Sequence, residues 1–311
     1  AVALRDFRVP GDFRAKIALY RLVNPVAWTV EQLTEWERAT PGDAVQYRRV
    51  AEDGAGRAVA YAEAVRMPWN KPGRFGVDCI TAREFRRQGI GSALLTDVER
   101  LAGARGAAEL LCEINEQDSH SLAFAERRGY RRDGHLFESV LDLTRWDGKR
   151  FAGVIGTVER GGIRFFALAD SATERNRHKL YNLVRETAAD VPDLEGGFPD
   201  YQHWLALNLE GENCQPDCIQ VAADGDRFVG VAHVAFNPET GDWQNEYTAV
   251  LPEYRGREIG LACRLLAIRA ALRHGARSLR THNDSRLPSL LALNGRLGYV
   301  PRVGCWRLVK R

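Results

Sequence analysis

Two short segments of the chain each combine glycine with arginine. Each lies between a β-rich run and a stretch with helical periodicity, so its glycines turn the chain into the start of a helix. Successive backbone N–H groups and the helix dipole at such a point attract phosphate. Recurrence of the pattern predicts two sites for a pyrophosphate. The first segment comprises Arg86, Arg87, Gln88, Gly89, Ile90, Gly91 and Ser92, and the second comprises Arg255, Gly256, Arg257, Glu258, Ile259, Gly260 and Leu261.

The same elements surround both segments. Two β-rich runs precede each one, and a helix, a short strand, a second helix and a Gly-Tyr pair follow it. Gly106 and Gly275 stand where a glycine should end the helix that follows each segment. This order predicts an α/β protein with a mixed sheet. The predicted strands are 59–66, 77–81 and 109–114 in one half and 228–236, 247–251 and 278–283 in the other, and the second helices are 119–128 and 288–297.

The chain contains an internal repeat. Residues 82–130 align without a gap on residues 251–299 at an offset of 169. Identical pairs include Arg86 with Arg255 and Gly91 with Gly260. A length of 311 residues corresponds to about two domains of roughly 150 residues. The sequence therefore predicts two copies of one fold, over residues 1–148 and 149–311.

Composition excludes several classes of protein. The net charge is only +3, which argues against a nucleic-acid binder. No apolar run approaches the roughly 18 residues of a membrane span, and the charged first ten residues do not resemble a secretory signal. Six scattered cysteines indicate reduced thiols and a cytoplasmic location. Cys214 and Cys218 form a lone pair without a second pair, so no zinc site is expected there.

The glycine segments and the Gly-Tyr pairs resemble the GNAT N-acetyltransferase superfamily. The acetyl-CoA pyrophosphate loop of that superfamily reads Arg/Gln-x-x-Gly-x-Gly/Ala. The first copy matches it through Arg86, Gly89 and Gly91, whereas Glu258 replaces the middle glycine in the second. The resemblance extends over essentially the whole chain and implies two tandem GNAT-like acyl-CoA N-acyltransferase domains. Glu258 would repel a diphosphate if its side chain points inward, and would not if it points to solvent, as other residues at this place of GNAT loops can. In the first case we expect the first copy to bind acetyl-CoA more tightly.

The resemblance also implies where the cofactor lies. The pantetheine arm would run between two splayed strands and pair with the backbone of the first of them. Asn115 and Asn283, at the ends of the second strands, are further candidate contacts, and as loop-entry residues they could equally form turns. The backbone candidates are Ile80, Thr81 and Ala82 in the first copy and Ala249, Val250 and Leu251 in the second.

The resemblance implies direct attack of an amine on the thioester, which requires a base and an acid. Glu113 and Glu246 lie on the strands of the two clefts and are the candidate bases, with His282 and Asp284 as an alternative pair. Many superfamily members carry a tyrosine that acts as the general acid, four residues before the glycine that ends the second helix. Here Ala125 and Asn294 occupy that place, and Asn294 could contact the sulfur or simply pack in the helix.

The favoured function is therefore an acetyl-CoA-dependent N-acetyltransferase that modifies a primary amine of a small molecule. A mycothiol-synthase-like acetyltransferase and a non-catalytic acyl-CoA-binding regulatory protein remain alternatives, the latter because both tyrosines are missing. Residues 171–215, rich in aromatic and acidic side chains, correspond to the opening helices that shape the acceptor site in this superfamily. The sequence leaves the acceptor and the oligomeric state open, and indicates neither a nucleic-acid nor a membrane partner.

Overall fold

The computed structural model describes residues 2–24, 28–192, 197–210, 214–238 and 241–311. The chain divides into two units, which are not the same as the two repeats. The first unit comprises Ala1–Gly134 together with Cys305–Arg311, and the second comprises His135–Gly304. Each unit is an α/β structure with a mixed sheet, as the sequence predicts.

The first unit begins with a strand and two helices and continues with the elements of the first repeat. Its sheet has the order β1-β2-β3-β4-β5-β13. The β4–β5 pair is parallel and the other neighbours are antiparallel. The elements are β1 Ala3–Asp6, α1 Phe13–Tyr20, α2 Val30–Ala39, β2 Val45–Glu52, β3 Ala58–Arg66, β4 Arg74–Thr81, α3 Ile90–Gly103, β5 Glu109–Asn115 and α4 Ser119–Arg127.

The second unit repeats this plan. Its sheet has the order β6-β11-β10-β9-β8-β7, and β10–β11 is the parallel pair. The elements, with the last strand of the chain, are β6 Arg131–Asp142, α5 Val154–Arg160, β7 Ile163–Ala167, α6 Glu174–Ala188, α7 Tyr201–Asn208, β8 Ile219–Asp224, β9 Arg227–Asn237, β10 Asp242–Val250, α8 Ile259–Arg273, β11 Ser278–Asp284, α9 Pro288–Leu297, β12 Val300–Pro301 and β13 Cys305–Lys310.

Each sheet is completed by a strand from the other repeat. β6 follows α4 of the first repeat, yet its residues from Leu136 onward pair with β11 of the second. β13 ends the second repeat, yet it pairs with β5 of the first. The expected division at residues 148 and 149 follows the repeats, whereas the compact units exchange these strands.

A helix packs on one face of each sheet because its apolar residues recur with helical spacing. In α3, Leu94, Val98 and Ala102 are buried in the first core. Gly91 allows α3 to approach β4 closely, since a Cβ there would lie 3.2 Å from Thr81 Oγ1. In α8, the aligned residues Cys263, Ala267 and Ala271 are buried in the second core.

Both parallel pairs open after a few residues. β4 and β5 are paired only from Arg74 opposite Glu109 to Gly76 opposite Leu111. Beyond these residues the two strands diverge and leave a V-shaped opening in the sheet. β4 begins three residues earlier than predicted, because Arg74 donates a hydrogen bond at 2.6 Å to buried Glu109, which compensates its charge inside the strand.

Candidate active site

The glycine segments form the same loop in both units. In the first, a short 3-10 helix, Arg83–Phe85, leads into the loop, and α3 starts directly after Gly89. Arg86 Nε donates a hydrogen bond at 2.9 Å to the Thr81 carbonyl. In the second, Arg255 Nε donates at 3.0 Å to the Val250 carbonyl. The predicted loops are therefore built by one set of contacts.

Each loop has two residues with positive φ, at equivalent places. In the first loop they are Arg87 at 63° and Gly89 at 82°, and in the second Gly256 at 75° and Glu258 at 62°. Glycine occupies only one of the two places in each loop, and Glu258 shows that a glutamate can adopt this conformation. No side chain caps α3 at Gly89. The first N–H groups of α3 are thus available to an anion.

The charges around the two loops differ. In the second unit, both guanidinium nitrogens of Arg296 donate to the Glu258 carboxylate, at 2.9 and 2.8 Å, and Arg255 forms an ion pair with Asp190. Arg296 therefore holds the pKa of Glu258 below its usual range. Arg127 is the counterpart of Arg296 in the first unit. Within the described parts of the chain, neither Arg127 nor Arg86 forms an ion pair. In the second loop, Glu258 and Asp190 thus engage Arg296 and Arg255, whereas Arg257 donates to the Glu253 carbonyl.

The V-shaped opening of the first unit leads into a cavity of about 280 Å³. Three carboxylates line it, from Glu63 on β3, Asp78 on β4 and Glu113 on β5. Glu63 and Asp78 lie directly opposite each other in the β3–β4 pair. The cavity also has apolar lining from Val65, Val77 and Leu111. A negative, partly apolar cleft of this size suits a small cationic molecule.

Glu63 and Asp78 share one hydrogen-bonded cluster with α1. Tyr20 Oη lies 2.5 Å from Asp78 Oδ2 and 3.1 Å from Glu63 Oε1. Tyr61 donates to Glu63 Oε2 at 2.5 Å. The Lys16 ammonium lies 3.2 Å from Glu63 and 4.9 Å from the centre of the Tyr61 ring. Lys16 therefore pairs with Glu63 and also attracts the Asp78 carboxylate through space, whereas Tyr20 supplies the direct hydrogen bond to Asp78.

Burial of Asp78, assisted by the charge of Glu63, raises the pKa of its carboxyl to about 6, although the Tyr20 hydrogen bond opposes the shift. A carboxyl with this pKa is ionised at neutral pH and is a stronger base than an exposed aspartate. Sequence reasoning missed Glu63 and Asp78, because neither belongs to a recognisable motif. The sequence does place Glu63 within the apolar run Ala-Val-Ala-Tyr-Ala-Glu-Ala-Val, and a carboxylate in such a buried strand indicates a functional or paired charge.

Glu113, the predicted base of the first copy, lines the same cavity. It lies directly opposite Arg307 in the β5–β13 pair, and Arg307 is only 2% exposed. The Glu113 carboxylate therefore lies on the strand next to a buried guanidinium, with which it interacts electrostatically. Asn115 accepts a hydrogen bond from the Gln117 backbone at 2.9 Å, so it forms the turn that was the alternative to a cofactor contact.

The backbone candidates lie at the ends of the opening strands. Ile80 and Thr81 pair with β3 on one side, and Ala82 donates its N–H to the Val59 carbonyl at 2.9 Å. In the second unit, Ala249 and Val250 pair with β9, and the Leu251 N–H donates to the Val229 carbonyl at 2.9 Å. The edges of β4 and β10 that face the openings have no strand partner there within the described chain.

The second unit contains a buried network of polar side chains at positions where the first unit has apolar residues. Arg264 of α8 has no exposed surface, and it donates to Asn294 Oδ1 at 3.0 Å and to Thr248 Oγ1 at 3.2 Å. Asn294 in turn donates to Asn283 Oδ1 at 2.7 Å, and Asn283 donates to Ser139 Oγ at 2.9 Å. The amide groups of both candidate asparagines are thus used within the protein.

The aligned positions of the first unit are apolar. Leu95, Ala125 and Ile114 stand where the network has Arg264, Asn294 and Asn283. Glu246, the candidate base of the second copy, lies at a bulge of β10 between Asn245 and Tyr247. Partial desolvation raises the pKa of Glu246, and neighbouring His282 opposes the shift. Asp284, the other member of the alternative pair, is bound by Arg286 at 2.6 Å.

Replacement of Asn294 by alanine, the residue found at the aligned position 125, is expected to destabilise the second unit. Arg264 loses an acceptor inside the core, which costs about 1–3 kcal/mol. Urea denaturation followed by circular dichroism measures the change. Unchanged stability combined with lost turnover would instead support a catalytic role for Asn294.

Among the described residues, every helix is too short or too polar to traverse a lipid bilayer. All six cysteines are free thiols.

Known proteins share this sequence pattern and fold. The Acetyltransferase (GNAT) family matches the chain twice, over residues 16–130 and 177–299. A search of curated proteins found no match. A GCN5-related N-acetyltransferase from Sphaerobacter thermophilus is 19% identical, with a TM-score of 0.69 over 99% of this chain and 95% of its own. A tandem GNAT protein from the clavulanic acid biosynthesis pathway is 18% identical, with a TM-score of 0.63 over 99% of this chain and 98% of its own.

A third solved structure is fungal. The glucosamine N-acetyltransferase region of a multi-domain β-N-acetylglucosaminidase is 16% identical, with a TM-score of 0.71. The alignment covers 99% of this chain and 38% of the fungal one. The paired match to the family covers well over half of the sequence, in the two copies that the internal repeat defines. The chain therefore belongs to the GNAT acetyltransferase family, as a tandem of two GNAT repeats.

Proposed function

We propose that the first unit transfers an acetyl group from acetyl-CoA to the primary amine of a small cationic molecule. The observation that carries the proposal is the contrast between the units. The first has open arginines at its loop and a carboxylate-lined cavity. In the second, the loop carries Glu258, which pairs with Arg296, and loop residue Arg255 pairs with Asp190.

The first loop fits a pyrophosphate. The uncapped start of α3 offers backbone donors, and Arg86, Arg87 and Arg127 supply positive charge around it. Leu95 and Ala125 are buried in the apolar core of the first unit, where the second unit has Arg264 and Asn294. Acetyl-CoA, when bound, supplies an activated acetyl thioester. The chain's own residues then have to hold the amine and accept its proton.

Asp78 is the residue proposed to accept that proton. Its carboxylate faces the cavity, and the Tyr20 hydroxyl fixes its orientation at 2.5 Å. The positive charge of Lys16 opposes the effect of Glu63 on Asp78, and with a pKa of about 6 the Asp78 carboxyl is ionised at neutral pH. An amine reaches the cavity mainly as an ammonium ion, and it must lose a proton before it attacks. A proton acceptor within the cavity meets that need.

The charge of the cavity indicates the class of acceptor. Three carboxylates face Lys16 and, opposite Glu113, Arg307, which leaves an excess of one negative charge when all are ionised. Such a site attracts amines that carry no carboxylate of their own. A small amine, a diamine or an amino sugar fits this description, and the fungal structural neighbour carries glucosamine in its name.

The test is amine-dependent release of coenzyme A thiol over a panel of diamines, glucosamine and acidic amino acids. We expect release with the cationic amines, and kcat/KM at least tenfold lower with amino acids because of like-charge repulsion. Preference for acidic amines would contradict the proposed acceptor class. Binding of acetyl-CoA without thiol release on any amine would indicate the non-catalytic acyl-CoA-binding alternative.

A further inference from the structure

A cluster of three different metal-ligating side chains lies in the second unit, apart from both loops. Asp217 and Cys218 belong to the short 3-10 helix Pro216–Cys218, just before β8. His274 is the residue that follows α8. One carboxylate oxygen, the Cys218 sulfur and one ring nitrogen of His274 all lie within 4.8 Å of one another. His274 Nε2 is 2.6 Å from Asp217 Oδ2.

The surrounding backbone holds these side chains in place. The Gln220 amide donates to the Asp217 carbonyl at 2.6 Å, and the Cys218 N–H donates to the Gln215 carbonyl at 2.9 Å. Cys218 has no exposed surface, whereas the side chains of Asp217 and His274 are each 38% exposed. The His274 ring packs on Trp243 with centroids 5.4 Å apart. The cluster therefore has a fixed inner ligand and an accessible outer side.

The donor set decides which metal would fit. A thiolate, an imidazole and a carboxylate together are typical of tetrahedral zinc, and hard ions such as Mg²⁺ prefer oxygen ligands alone. Zinc bonds of this kind separate neighbouring ligand atoms by about 3.5 Å. Side-chain movements on the order of 1 Å would bring the three atoms to that spacing. The two anionic ligands balance the charge of Zn²⁺, and exposed Arg273 is the nearby cation that opposes binding.

We propose that Asp217, Cys218 and His274 bind one Zn²⁺ ion, with water in the fourth position. The ion joins the segment before β8 to the end of α8, two elements 56 residues apart in sequence. Its role is therefore to stabilise the second unit. The sequence argument against zinc considered only Cys214 with Cys218, whereas the fold adds a histidine and an aspartate.

The test uses the full chain and zinc alone. Purified protein is stripped with chelator, reloaded with one equivalent of Zn²⁺ and titrated against a chromophoric chelator, with elemental analysis of the retained metal. We expect one retained zinc per chain and a higher melting temperature than in the stripped protein. His274→Gln should weaken zinc binding at least tenfold, since even residues behind the ligands contribute about 10–100-fold. His178→Gln, at an exposed histidine of α6, is the matched control and should retain zinc.

Cobalt gives a second readout that does not depend on stability. Co²⁺ added to the stripped protein should produce a thiolate-to-metal charge-transfer band, which Cys218→Ser should remove and Cys305→Ser should not. Retention of no zinc by the wild-type chain would overturn the proposal. Equal zinc affinity of His274→Gln and His178→Gln would also overturn it, and would leave Asp217 and His274 as an ordinary ion pair.

Discussion

Replacement of Asp78 by asparagine is expected to lower kcat for acetyl transfer by about 10²–10⁴-fold, the usual contribution of a general base. Asparagine has nearly the same shape and can still accept the Tyr20 hydrogen bond, so the cavity is preserved. What is lost is the group that accepts the amine proton. Steady-state thiol release with a saturating cationic amine measures the effect.

The pH profile separates this role from a structural one. The pKa of Asp78 is raised to about 6, so the carboxyl holds a proton below that pH and cannot accept another. The rate should therefore fall as the pH falls through about 6, and Asp78→Asn should lack this limb. The same shift destabilises the fold as the pH rises from about 4 to 6, because the folded state binds the proton more tightly than the unfolded chain.

Glu113→Gln is the comparison variant for this prediction. It removes a carboxylate from the same cavity, at the residue that the sequence favours as the base. A loss of kcat and of the acid limb in Glu113→Gln, with near-normal Asp78→Asn, would assign the base to Glu113 instead. The two variants thus show which carboxylate accepts the amine proton, that of Asp78 on β4 or that of Glu113 on β5.

Replacement of Gly89 by glutamate is expected to raise the Kd for acetyl-CoA by about 10–100-fold. Glu258 adopts the same positive φ in the second unit, so the loop can accept this side chain. The new carboxylate would lie at the start of α3 and repel the diphosphate. It would also be placed to pair with Arg127, as Glu258 pairs with Arg296. Calorimetric titration with acetyl-CoA measures the change.

Glu258→Gly is the reciprocal variant in the second unit. It removes the inhibitory carboxylate, but Arg255 remains paired with Asp190 and Arg264 remains in the cleft wall. We expect one acetyl-CoA site per chain before and after this change. Unchanged affinity in Gly89→Glu together with a loss of binding on alteration of the second loop would reverse the assignment of the two units.

Local sequence pattern is enough to predict most of the fold. The helices, strands and glycine loops follow from periodicity and glycine placement, because those signals act within a few residues, and the two repeats follow from aligning the chain with itself. The exchange of β6 and β13 does not follow from such signals. Each strand follows the second helix of its own repeat, and nothing local in the sequence specifies which sheet it joins.

The candidate site is less visible in the sequence than the fold. Glu63 and Asp78 become neighbours only through the antiparallel register of β3 and β4, and Lys16 reaches them from a helix 47 residues away from Glu63. Asn294 occupies the place of a family acid, yet its environment depends on Arg264, whose burial has no sequence signature. Residue type indicates possible chemistry, whereas register and packing decide which groups meet.

A structure of the protein with bound acetyl-CoA tests the central claim most directly. The account predicts the cofactor in the first unit, with its diphosphate at the start of α3 beside Arg86 and its thioester in the opening that Asp78 faces. Occupation of the second unit alone, at the start of α8 beside Glu258, would contradict the claim.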